Sequence, residues 1–218
     1  MNGFEARWAI VVPIKRLAIA KTRLADVADV RADLALAMAL DTVAAAHACA
    51  TVHQVVVVTD EPSAAEALTS IGALVVADTP DAGLNPALRH GALAAAGTSA
   101  RCGVAALSSD LPALRSVDLD GVLAAAADHP SCIVADADET GTTLLTARDV
   151  DAFAPRFGAR SRQAHVDNGA YDLTAAAAAS LRRDVDTLDD LRSAVELGVG
   201  PATAAALRRH PLWAPSAS

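Results

Sequence analysis

Aromatic side chains are scarce in this 218-residue chain: two Trp, one Tyr and three Phe, 3% in all. So few rings leave no platform for stacking successive bases, and a formal charge of -8 repels a phosphate backbone rather than steering towards it. General nucleic-acid binding is disfavoured on both counts. The three cysteines, Cys49, Cys102 and Cys132, are odd in number, far apart and outside any CxxC, which argues against a disulfide framework or a sulfur-rich zinc site; they read as small buried hydrophobes. Neither GxxxxGK followed by Ser or Thr nor GxGxxG occurs, so kinase-type and dinucleotide-oxidoreductase readings lose their main support. The six histidines (His47, His53, His90, His129, His165, His210) show no HExxH or paired spacing and are read as surface or helix-end residues without chemistry. Asp, His, Arg or Gly interrupts each apolar run well before a membrane span is complete, and the run at residues 8–13 is too short for a signal peptide. A cytoplasmic protein with no membrane partner is expected.

What is present is apolar bulk: 53% hydrophobic against 20% charged residues, enough to bury a large core in one domain spanning 1–218. Short β-branched runs at 9–12, 55–59, 74–77, 104–107 and 132–135 alternate with alanine-rich stretches of helical length, such as 32–48 with Leu36, Leu40 and Val43 on one face. This rhythm predicts an α/β fold of three αβα layers around a mostly parallel sheet, with ligands beyond the carboxyl ends of the strands. After Asp138 it changes, and residues 138–170 are expected to form an acceptor-binding insertion or lid, within which Leu144 and Leu145 begin a strand. Beyond lie an alanine-rich helical run near Ala175, a short strand at 183–185, and a helix capped by Thr187 and Asp190. Trp8 and Tyr171 are read as packing anchors.

Two sets of charges stand at predicted strand ends. Lys15, Arg16, Lys21 and Arg23 follow the first strand within nine residues. Lys supplies compact charge and Arg a planar donor fork, which together suit a polyphosphate and a leaving pyrophosphate, although a solvated basic turn has the same composition. The strand 104–107 runs into Ser108, Ser109 and Asp110, and a second acidic stretch carries Asp184 and Asp186. Magnesium takes one or two carboxylates and fills its remaining positions with water and phosphate oxygens, so Asp110 with Asp186 or Asp184 forms a candidate Mg2+ site. Each Asp taken singly is as readily a helix cap or turn residue.

The segments PIKRLAIAKTRL (13–24), GLNPALRHG (83–91), SSDLPAL (108–114), TGTTLL (140–145), RFGARS (156–161) and DVDTLDDL (184–191) together resemble the phosphoenolpyruvate/2-phospho-L-lactate guanylyltransferases of coenzyme F420 biosynthesis. That family is a branch of the nucleotidyltransferase (nucleotide-diphospho-sugar transferase-like) fold shared with molybdopterin nucleotidyltransferases. The resemblance covers nearly the whole chain, and its lysine-rich opening stands where related enzymes carry GGxSxRMG. It implies that Lys15, Lys21 and Arg23 face the triphosphate, that Asn85 lies near the guanine or ribose, and that Asp110 and Asp186, with Asp184 as the alternative, hold magnesium. It also implies that Thr142, Gly158 and Ser161 cradle phosphoenolpyruvate. Two positions depart from the pattern: Leu188 stands where relatives often have Pro, and Glu139 is acidic beside the expected anionic substrate.

The implied reaction joins phosphoenolpyruvate to GTP, giving enolpyruvoyl-2-diphospho-5'-guanosine and pyrophosphate, with no protein nucleophile and with handover of the labile product to the next pathway enzyme. Rivals within the fold use 2-phospho-L-lactate, 3-phosphoglycerate or a molybdopterin as acceptor. A rival of another class is a non-catalytic nucleotide-binding or sensor protein.

Overall fold

Parallel strands buried on both faces need near-continuous apolar sequence, and the chain supplies it at its centre. The computed structural model describes residues 7–14, 31–79, 81–97 and 102–209. In chain order its principal elements are β1 (Trp8–Pro13), α1 (Arg31–His47), β2 (Val52–Val58), α2 (Pro62–Ser70), β3 (Leu74–Val76), α3 (Leu84–Ala96), β4 (Gly103–Leu107), α4 (Ser116–Ala126), β5 (Ser131–Val134), β6 (Leu144–Ala147), α5 (Ser161–Asp167), β7 (Tyr171–Asp172), α6 (Ala179–Arg182), α7 (Leu188–Leu197) and α8 (Pro201–Arg209). The seven strands form one sheet in the order β3-β2-β1-β4-β6-β5-β7. Every pairing is parallel except those of β6, which runs antiparallel to β4 and β5.

Alternation along β1 sends side chains to two cores. Trp8, Ile10 and Val12 pack with Ala39 and Val43 of α1, Leu68 of α2 and Leu119 of α4. Val11 packs on the opposite face with Ala87, Leu88 and Ala92 of α3 and with Ile133 and Leu145. The result is the three-layer α/β architecture expected from the sequence. Alpha-3 approaches the sheet closely because Gly91 lacks a Cβ; one there would lie 2.5 Å from Val11 Cγ1 and 2.7 Å from Val58 Cγ2.

Within the stretch expected to form an insertion or lid, Leu144–Ala147 is β6, a fully buried strand between β4 and β5. The predicted strand at 183–185 does not form. Arg183 N–H bonds back to Ala179 and closes α6, while Val185 N–H is taken by the Asp110 carbonyl, so the segment has no strand neighbour. The helix that follows carries the expected cap: Thr187 Oγ1 accepts from Asp190 N–H, and the Asp190 carboxylate accepts from Thr187 N–H, a reciprocal box. Tyr171 is an exposed residue stacked on the His129 ring at 4.0 Å rather than a packing anchor. Its two-residue strand lies at the sheet edge. Cys49 and Cys132 are buried, which pushes their thiols up to about 12 and about 11, and Cys102 is half-buried. Among the described residues no helix is long and apolar enough to cross a membrane.

Candidate active site

The antiparallel turn into β6 brings three strand ends to one edge of the sheet. Beta-4 and β5 end there and β6 begins there; Ser108 N–H donates to the Thr143 carbonyl at 2.9 Å, and Thr143 N–H to the Val134 carbonyl at 3.0 Å. Beta-1 leaves the sheet at the same edge, with Ile14 N–H held by the Val58 carbonyl at 2.9 Å. Lys15, Lys21 and Arg23, the residues expected to face the triphosphate, lie outside the described residues.

Asp110 sits just beyond β4, half-buried. The Asp110 carbonyl accepts from Val185 N–H at 3.1 Å, so the two acidic stretches, 74 residues apart in sequence, lie side by side. Val185 is fully buried among Leu34, Met38, Ala113 and Leu191. Its anchorage leaves Asp184 half-buried and Asp186 exposed on either side of it. Among the described residues no group of three or more His, Cys, Asp or Glu side chains is arranged to hold a metal ion. A magnesium ion that takes one or two carboxylates and completes its shell with water and phosphate oxygens does not require such a group.

Thr142 and Ser161, 19 residues apart, meet directly: Ser161 Oγ donates to Thr142 Oγ1 at 3.1 Å, and both residues are buried. Gly158 closes the turn before α5, its carbonyl accepting from Ser161 N–H at 3.2 Å. Its φ of +144° belongs to the region that favours glycine. The Asn85 carboxamide, expected beside the nucleoside, is engaged at both ends by the main chain of Phe157. Asn85 thus joins the start of α3 to the RFGARS segment.

Two further residues belong to this neighbourhood. His165 is 1% exposed; Thr142 Oγ1 lies 3.1 Å from its Nδ1, and Arg156 N–H donates to its Nε2 at 2.8 Å. Burial pushes its pKa down to about 4, helped by the Arg156 charge and opposed by a backbone bond at Ser161, so the ring is neutral near pH 7. The sequence held one sign of it: Ser161 and His165 are four residues apart and so share a helix face. Glu139 is clamped by two guanidinium groups, Arg162 at 2.8 Å and Arg182 at 3.3 Å, which hold its carboxyl below the usual carboxylate range. Its charge is therefore compensated where an anionic substrate is expected. Those partners lie 23 and 43 residues away, beyond any local pattern.

The fold and these segments have counterparts among known proteins. A family model described as guanylyl transferase, CofC like, matches residues 8–209. A protein of Thermomonospora curvata named phosphoenolpyruvate guanylyltransferase is 53% identical over 214 residues, covering 98% of this chain and 94% of its own. One of the same name from Streptomyces coelicolor is 53% identical over 205 residues, covering 93% and 97%. Among solved structures, a putative nucleotide-diphospho-sugar transferase from Desulfovibrio desulfuricans G20 superposes with a TM-score of 0.69 at 19% identity, covering 95% of this chain and 96% of that one. At that identity the likeness concerns the fold.

Proposed function

Because the chain belongs to the CofC-like guanylyl transferase family, we propose that it condenses phosphoenolpyruvate with GTP, giving enolpyruvoyl-2-diphospho-5'-guanosine and pyrophosphate in coenzyme F420 biosynthesis. The observation that carries this reading is the hydrogen bond from Val185 N–H to the Asp110 carbonyl. It joins the main chains of the two acidic stretches beyond the end of β4, at the sheet edge where β1 ends and where β6 begins beside Thr142.

In this reaction a phosphate oxygen of phosphoenolpyruvate attacks the α-phosphorus of GTP in line. A P–O bond forms to the acceptor, the bond between the α-phosphorus and its bridging oxygen to the β-phosphate breaks, and pyrophosphate leaves with that electron pair. A phosphate monoester has a second pKa of about 6, so the acceptor is largely dianionic near neutrality and needs no protein base. Positioning and charge compensation are then the main tasks left to the protein.

Asp110, with Asp186 or Asp184, would hold Mg2+, which when bound supplies positive charge beside the phosphate oxygens. Lys15, Lys21 and Arg23 are assigned to the triphosphate, Lys for point charge and Arg for its donor fork. The bonded Thr142–Ser161 pair donates its one remaining hydroxyl proton to the acceptor anion, and Gly158 lets the backbone approach it. Handover of the labile diphosphate product to an enzyme that consumes it fits this chemistry.

The test is a panel of phosphoenolpyruvate, 2-phospho-L-lactate, 3-phosphoglycerate and molybdopterin against GTP, CTP and ATP, read by pyrophosphate release. The highest kcat/KM is expected for phosphoenolpyruvate with GTP. Release that is fastest with another acceptor, or GTP binding without release for any acceptor, would overturn the assignment.

A further inference from the structure

Each ring nitrogen of His165 engages one of the two segments assigned to the acceptor. Nε2 faces Arg156 N–H at 2.8 Å, next to the turn of Gly158, and Nδ1 faces Thr142 Oγ1 at 3.1 Å. A backbone N–H only donates, so Nε2 must accept and the proton of the neutral ring must sit on Nδ1. Nδ1–H then faces the Thr142 hydroxyl as its donor, with the Ser161 carbonyl as a second acceptor. Thr142 and Ser161 share one hydrogen bond between them, which uses one of their two hydroxyl protons. The tautomer fixed by Arg156 therefore leaves one hydroxyl proton of the pair to be donated elsewhere. The ring has little freedom to leave this arrangement: it is buried, and the Phe157 ring meets it edge-on with centroids 5.0 Å apart.

We propose that His165 is a positioning residue that holds the Thr142–Ser161 hydroxyl pair oriented as a hydrogen-bond donor towards the phosphoenolpyruvate anion. The proposal rests on the acceptor-site reading given above. A hydroxyl in water turns either a proton or a lone pair to its neighbour, and a lone pair facing an anion repels it. A pair whose orientation is set from behind by a fixed N–H has no such reorientation to undergo when the substrate arrives. By bonding 156 and 142 at once, the same ring also fixes the spacing of the two segments.

The test separates donor from shape. In His165→Asn the side-chain amide stands in for Nδ1–H; in His165→Gln it stands in for Nε2, and the donor to Thr142 is lost. His165→Gln is expected to raise KM for phosphoenolpyruvate roughly tenfold while KM for GTP stays within about twofold, and His165→Asn to recover most of that loss. An unchanged KM for phosphoenolpyruvate in a folded His165→Gln, or equal impairment of both variants, would overturn the proposal. Thr142→Ala is the control for the reading beneath it. If that variant leaves KM for phosphoenolpyruvate unchanged, the acceptor site itself is misassigned and the role of His165 falls with it. If Thr142→Ala raises this KM and His165→Gln does not, only the role of His165 falls. Should the His165 variants not fold, 15N spectra of the native protein decide the matter. A proton on Nδ1 whose resonance shifts on adding phosphoenolpyruvate supports the proposal, whereas a proton on Nε2 or an unmoved resonance overturns it.

Discussion

Phe157 N–H donates to Asn85 Oδ1 at 2.8 Å and Asn85 Nδ2 donates to the Phe157 carbonyl at 3.0 Å, so one carboxamide satisfies both backbone polar groups of a residue 72 positions away. The link ties the first turn of α3 to the segment carrying Gly158 and Ser161. Asn85→Ala leaves both backbone groups without this partner, at a cost of about 1–2 kcal/mol. Urea denaturation is expected to register that loss, and KM for phosphoenolpyruvate to rise more than KM for GTP. A larger effect on GTP would instead support the nucleoside contact that the family resemblance implies for Asn85.

Asp110→Asn keeps the size of the side chain and the backbone bond to Val185 while removing the charge. Turnover is expected to fall by about a hundredfold to a thousandfold, the scale for loss of a major electrostatic contact in a reaction of this kind. Circular dichroism and melting temperature should stay close to those of the parent protein. Calorimetric titration with magnesium and GTP should show weakened binding of the pair. Full activity of this variant at ordinary magnesium concentrations would contradict its assignment as a metal ligand.

The Glu139 clamp is exposed, so its contribution is screened by salt. Glu139→Ala releases Arg162 and Arg182 from the turn between β5 and β6. KM for phosphoenolpyruvate is expected to rise roughly threefold at low ionic strength, with the difference from the parent shrinking towards 1 M salt. Initial rates across a salt series provide the check.

Stability should depend on acid through His165. Its pKa lies near 4 in the folded protein against 6.5 for the free side chain. Between those values the unfolded chain holds the proton and the folded chain does not, so unfolding takes up about one proton and stability falls as pH falls. This contribution is complete above pH 6.5 and levels off below pH 4. Denaturant midpoints measured from pH 7 to pH 4 are expected to converge for the parent and His165→Gln as the pH drops.

Gly91 sets how closely α3 approaches the sheet. Replacing it with Ala improves helix propensity by about 1 kcal/mol. Overpacking costs about 1–3 kcal/mol. A new atom at 2.5 Å from Val11 and 2.7 Å from Val58 puts this site at the upper end of that range, so overpacking wins. Gly91→Ala is expected to lower the melting temperature by roughly 3–6 °C. A calorimetric scan showing a rise would mean that α3 shifts without strain.

Features set by local pattern were legible in the amino-acid sequence. The apolar runs that became β1 and β4, the alanine-rich helix α1 and the box between Thr187 and Asp190 rest on periodicity and near-neighbour bonding, and these act within a few residues. The family motifs were equally visible, because each is a short unbroken string. Only the tertiary structure decided which distant residues meet. It placed β6 antiparallel inside the sheet between β4 and β5, turned residues 183–185 into a loop bonded to Asp110, bonded Asn85 to Phe157, and drew His165 out of a set of unremarkable histidines to face Thr142. Each of these depends on a hydrogen bond between groups far apart along the chain, and such a bond imposes no spacing or composition on the residues between its partners.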